Sequence, residues 1–77
     1  MKIVAITPKT PAEAMGIQVG DDLLSINDRN ISDEIDYTFY AADEELKIKI
    51  LRDGIAQEIN IIKSLDEELG IIVEPMK

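Results

Sequence analysis

The chain has 77 residues, 16 acidic against 8 basic for a formal charge of -8, and no Cys, His or Trp. A domain of this size buries roughly 60% of its unfolded surface, so without a disulfide or a Cys/His zinc site its stability must come from packed aliphatic side chains. The missing Cys and His exclude a Ser–His–Asp triad, a Cys–His dyad, a haem axial His and a thiolate-held cluster within these residues, and the acidic balance disfavours nucleic acid, whose phosphates need Lys and Arg.

The charge is evenly spread. Residues 1–38 carry 3 basic and 7 acidic groups and residues 39–77 carry 5 and 9, which reads as a solubility charge rather than an acidic tail. No repeat or linker divides the chain, so a single domain over 1–77 is expected. The apolar run from Met1 to Pro8 is too short for a signal peptide, and no stretch approaches the length of a membrane span. The expectation is a cytoplasmic protein with no membrane and no nucleic-acid partner.

In chain order, Ile3, Val4 and Ile6 predict a short strand that stops at Thr7-Pro8, because Pro cannot donate to a ladder. Thr10, Pro11 and Glu13 form a Thr-x-x-Glu capping box and predict a helix of about one and a half turns, closed by Gly16. Ile17 to Asp22 turns into the buried strand Leu23-Leu24-Ser25-Ile26. Asn27-Asp28 suits a tight turn, and Arg29-Asn30-Ile31 returns the chain. Ser32 or Asp33 caps a second helix over about Glu34 to Asp43. That helix holds all three aromatics, Tyr37, Phe39 and Tyr40. Helical spacing makes Ile35, Phe39 and Ala42 the expected core stripe and puts Tyr37, Tyr40 and Ala41 on another face.

The clearest hairpin follows. Leu46, Ile48 and Ile50 alternate with Lys47 and Lys49, Asp53-Gly54 is a type I′ turn pair, and Ala56 to Ile62 forms the return strand. A two-residue loop sets Leu46 opposite Ile61, Ile48 opposite Ile59 and Lys49 opposite Glu58, so apolar meets apolar on one face and opposite charges meet on the other. Lys47 and Lys49 read as solvent-face residues that discourage edge pairing. A second capping-box spacing, Ser64 to Glu67, predicts one helical turn before Gly70, and Ile71-Ile72-Val73 is a last strand ending at Glu74-Pro75. The class is α+β: a small, partly open β-barrel or sandwich of about five to six short strands with two helices.

The run from Ile3 through Pro8, Thr10, Pro11, Gly16, Ile17, Gly20-Asp21-Asp22 and Leu23 to Ile26-Asn27 resembles the middle of a bacterial PDZ domain. There a strand leads through Pro and a small helix into Gly-Φ-x-x-Gly-Asp and a strand ending in Asn. Leu46 to Gly54 is similar to the family's penultimate strand and its Arg-Asp-Gly turn. The family's opening carboxylate-binding loop has no room ahead of Ile3; its best counterpart is Leu69-Gly70-Ile71-Ile72-Val73-Glu74. The resemblance therefore implies a circularly permuted PDZ-like domain. The chain also resembles the N-terminal PDZ-like segment of radical-SAM iron–sulfur proteins of anaerobic bacteria, from the first strand to Asp66-Glu67-Glu68-Leu69-Gly70.

The resemblance implies a non-catalytic protein- or peptide-interaction or scaffolding domain. Its groove would comprise Leu69, Gly70, Ile71, Ile72 and Val73 with Tyr37, Tyr40 and Ala41 of the second helix. The partner would be the C-terminal catalytic domain of the same polypeptide, or an extended peptide or protein C-terminus joined by β-augmentation. No cofactor is expected in this chain; an iron–sulfur cluster and S-adenosylmethionine would belong to the remainder. The alternative is the peptide-binding module of a bacterial protease that recognises C-termini. Against both stands a plain structural reading, in which Gly70 caps a turn and Ile71 to Val73 merely closes the sheet. The acidic runs Asp21-Asp22, Asp43-Glu44-Glu45 and Asp66-Glu67-Glu68 match no calcium loop and read as solvated turn and cap residues.

Overall fold

The computed structural model describes residues 1–74; Pro75, the expected stop of the last strand, lies outside them. The elements run β1 (Ile3–Ile6), α1 (Pro11–Ala14), β2 (Asp22–Ile26), β3 (Arg29–Asn30), α2 (Glu34–Tyr40), β4 (Glu45–Arg52), β5 (Ile55–Ile62) and β6 (Ile71–Val73). Two antiparallel sheets result, one of β1 and β6 and one in the order β3-β2-β4-β5.

The β4–β5 hairpin has the register its sequence requires: Leu46 pairs with Ile61, Ile48 with Ile59 and Lys49 with Glu58. Asp53 and Gly54 both take positive φ, 52° and 77°, which matches the twist of a type I′ turn to that of the strands. Lys47 and Lys49 do not guard an edge, because β4 lies inside the sheet between β2 and β5. They reach the Asp28 carboxylate at 2.9 and 3.6 Å and so tie the β2–β3 turn to β4.

Ile3, Leu23, Ile26, Ile48 and Ile50 are fully enclosed and form the centre of the core, to which Ala12, Ile17, Leu46, Ile61, Leu69, Ile71 and Val73 add. The sheets meet where the Ile3 N–H donates to the Asp21 carbonyl and the Gly20 N–H to the Ile3 carbonyl, both at 2.9 Å. Asp21 is almost enclosed, 4% exposed, and receives a forked pair from Arg52: Nε to Oδ1 at 2.8 Å and Nη2 to Oδ2 at 2.6 Å. Arg52 Nη2 also donates to the Gly16 carbonyl at 2.9 Å, and the Gln18 N–H donates to Asp21 Oδ2 at 3.0 Å. The end of β4 thus holds the whole 16–21 turn.

The capping box predicted for α1 is not formed. The Thr10 hydroxyl donates backward to the Thr7 carbonyl at 2.7 Å, and the Glu13 carboxylate accepts from the Lys9 N–H at 3.1 Å. The helix is a single turn whose Ala12 is fully buried. α2 is capped by Asp33, whose carboxylate accepts from the Asp36 N–H at 2.7 Å. It ends at Tyr40, short of the expected Asp43. Its last turn has no basic residue, a longer helix would end on Asp43, whose charge opposes the helix dipole, and the β4 ladder begins at Glu45.

The faces of α2 are the reverse of the expected ones. Ile35 and Phe39 are 74% and 72% exposed and Ala42 faces solvent, while Ala41 is buried and Tyr37 and Tyr40 pack against the core. Both faces of this short helix are apolar, so periodicity identifies two stripes without ranking them; the packing of α2 on the sheets decides. The predicted helical turn after Ser64 is a simple turn, closed by the Glu67 N–H on the Ser64 carbonyl and the Ser64 N–H on the Glu67 carboxylate.

Candidate functional site

Among the described residues β6 has a strand partner on one side only, β1. Antiparallel pairing matches Ile6 with Ile71 and Ile3 with Val73, while the Thr7 N–H donates to the Gly70 carbonyl at 2.8 Å and the Glu74 N–H to the Lys2 carbonyl at 2.9 Å. In an antiparallel ladder those flanking bonds make Ile71 and Val73 members of non-hydrogen-bonded pairs, so their own N–H and C=O groups turn away from β1. Among the described residues no strand pairs with that outer edge. The side chains of Ile71 and Val73 are buried in the core, and Ile72 is exposed on the opposite face.

Gly70 sets the bend that leads into the edge. Its φ is +99°, and a Cβ added there would overlap the Thr10 side chain, so both conformation and space require glycine. The preceding Leu69 is buried, and its carbonyl accepts from the Ala12 N–H at 3.0 Å. Thr10 is therefore a wall for the Leu69-Gly70 bend rather than a helix cap. Sequence reasoning missed this role, because the contact joins residues 60 positions apart.

Of the three α2 residues placed in the groove by resemblance, Tyr37 alone is brought to this loop. Burial pushes its phenol up to about 12; a hydrogen bond from the outward Ile71 backbone works against that rise, and the Glu68 carboxylate adds to it. The phenol is thus a neutral group beside the amide of Ile71. Tyr40 turns toward β3, with the Arg29 guanidinium 5.2 Å from its ring centre and Phe39 edge-on at 5.6 Å. Ala41 is in the core.

Lys63 also escaped the sequence reading. It is 5% exposed, and its Nζ donates to the Ser64 carbonyl at 3.3 Å. The inward alternation of Ile59, Ile61 and Lys63 along the return strand was the available signal. Among the described residues no group of three or more Asp and Glu side chains converges as metal ligands, and no helix is long and apolar enough to cross a membrane. The site offers backbone donors and acceptors, apolar surface and carboxylates, which are groups for binding an extended chain.

The sequence model of the PDZ domain family matches residues 2–52. The match ends with β4, so β5 and β6 lie beyond it. The chain is also 31% identical over 78 residues to the zinc metalloprotease RasP of Oceanobacillus iheyensis, an alignment that covers 97% of this chain and 18% of that protein. This relative is a protease, and it lends no support to the radical-SAM resemblance.

Proposed function

From the premise that this chain belongs to the PDZ domain family, we propose that it is a non-catalytic peptide-interaction module of a larger bacterial protease. The observation that carries this reading is the outer edge of β6, which lies next to Tyr37 of α2 with its backbone groups turned outward. An extended segment laid there would continue the β1–β6 sheet by main-chain hydrogen bonds, while the helix supplies side-chain contacts. The protease setting rests on the likeness to RasP, of which the chain spans 18%; the radical-SAM setting, with its cluster and S-adenosylmethionine, has no comparable support. In this reading β6 stands where a PDZ domain of ordinary order has its peptide-receiving strand, which is the circular permutation expected from the Leu69 to Glu74 motif.

The test is a titration of the isotope-labelled 77-residue chain with short extended peptides, followed by amide NMR shifts. Shifts centred on Gly70, Ile71, Val73 and Tyr37 support docking at this edge. Shifts confined to β5 or to the β2–β3 turn would place any binding elsewhere and refute the proposal.

A further inference from the structure

We propose that a second copy of this chain docks on the outer edge of β5, antiparallel and about a two-fold axis at Ile59, so that two four-stranded sheets join into one. The inference concerns a different edge from β6 and does not depend on peptide binding there.

β5 is the outermost strand of the β3-β2-β4-β5 sheet, and among the described residues no strand pairs beyond it. The Lys63 N–H donates to the Glu44 carbonyl at 2.8 Å, and the ladder continues without a register shift to Arg52 and Ile55. Alternation along an antiparallel ladder then gives the odd-numbered residues of β5 their bonds to β4. It turns the N–H and C=O groups of Ala56, Glu58, Asn60 and Ile62 outward. Edge strands are ordinarily guarded by shortness, Pro, Lys or a bulge. β5 has eight residues with no Pro, no Lys and no bulge, and the lysines that the sequence suggested as guards lie on β4.

Charge and register select a second copy as the occupant. Residues 45–62 hold three basic and three acidic groups, so the whole of the -8 charge lies outside this hairpin. Two copies that meet hairpin to hairpin therefore bring together the neutral part of an otherwise acidic chain. The strand is also complementary to itself. In a two-fold contact outward residues pair with outward residues, and an axis at Ile59 sets Glu58 opposite the partner's Asn60 and Ala56 opposite the partner's Ile62. An axis at Glu58 would oppose two carboxylates, and an axis at Asn60 would pair only residues 58–62 of the strand. The favoured register also brings the partner's Ile55, 64% exposed in one copy alone, opposite Lys63. There it lies beside a cleft of about 440 Å³ between Ile61 and the Pro11, Ala14 and Met15 side of α1. Ile62, 82% exposed, comes to rest over the partner's Ala56.

An edge of eight residues is about 27 Å long, and its contact falls at the low end of specific interfaces, about 1,000 Å². A dissociation constant of about 100 µM is expected. Sedimentation equilibrium of the chain from about 10 µM to about 1 mM should show the mass rising from 8.6 kDa toward twice that value. Dilution should move the amide signals of Ala56, Glu58, Asn60 and Ile62. Asn60→Glu sets like charges across both halves of the contact and should weaken association about tenfold or more. Adding Glu58→Lys makes those pairs opposite in charge and should bring the affinity back to within about threefold of the parent. Both positions are exposed, so the fold should be kept, and thermal unfolding checks that it is. A chain that remains at 8.6 kDa throughout, dilution shifts confined to β6 or α2, an Asn60→Glu variant that associates as tightly as the parent, or a folded double variant that does not recover would each overturn the inference. None of these outcomes bears on peptide docking at β6.

Discussion

The Thr10 side chain fills the space into which a Cβ on Gly70 would project. The two residues lie at opposite ends of the chain, and their contact fixes the bend through which β6 emerges. Gly70→Ala should therefore cost about 2 to 4 kcal/mol, combining the positive φ with overpacking. Urea unfolding measures the loss. In a double-mutant cycle, Thr10→Gly should remove the steric part and leave the conformational part, so the two substitutions should be clearly non-additive. Strict additivity would mean that Thr10 does not constrain the bend.

The fork between Arg52 and Asp21 makes a second prediction. Hydrogen bonds from the Arg52 side chain hold the Asp21 carboxyl below the usual carboxylate range. A depressed native value means that the stabilisation is present above the unfolded value near 3.9 and disappears as pH falls through the native value. Asp21→Asn should lower stability at neutral pH by about 1 to 3 kcal/mol. The variant should also lose less stability than the parent when acidified below about pH 4. Thermal unfolding across that range checks both effects.

Tyr37 has the opposite sign at alkaline pH. Its native phenol is raised to about 12, above an unfolded value near 10. The neutral phenol's contribution is therefore complete below pH 10 or so and is lost as pH rises through the native value. Tyr37→Phe should abolish this part of the alkaline destabilisation, and ring-carbon NMR should show Tyr37 titrating above the ordinary phenol range. A Tyr37 that titrates near 10 would remove it from the interior.

The reversal of α2 can be measured directly. Phe39→Ser should change stability by no more than about 0.5 kcal/mol, as expected of an exposed position. Tyr37→Ala should cost about 3 kcal/mol because it opens a cavity under the helix. Similar losses in both variants would restore Phe39 to the core.

What could be read in the sequence follows from the range of the interactions. The register of Leu46 to Ile61, the Asp53-Gly54 turn and the cap at Asp33 depend on neighbours a few residues away, and local chemistry sets them. Thr10 and Glu13 had the spacing of a capping box, yet their side chains serve Thr7 and Lys9 because the Leu69-Gly70 bend occupies the space around the helix start. The choice between the Ile35–Phe39 and Tyr37–Ala41 faces likewise depended on where α2 lands. The partnership of Asp21 with Arg52 spans two elements and left no local trace. The motif Leu69 to Val73 was legible as a candidate strand by resemblance, but the outward orientation of its backbone groups required the observed pairing with β1.

Hydrogen exchange at Val73 tests most directly whether β6 is a docking edge. In the free chain the outward amide of Val73 should exchange faster than that of Ile72, whose amide faces β1. Saturation with a short extended peptide should slow Val73 and leave the β4–β5 hairpin unchanged. If Val73 is already fully protected without peptide, or stays unprotected at saturation, the edge is not the binding surface and the account is wrong.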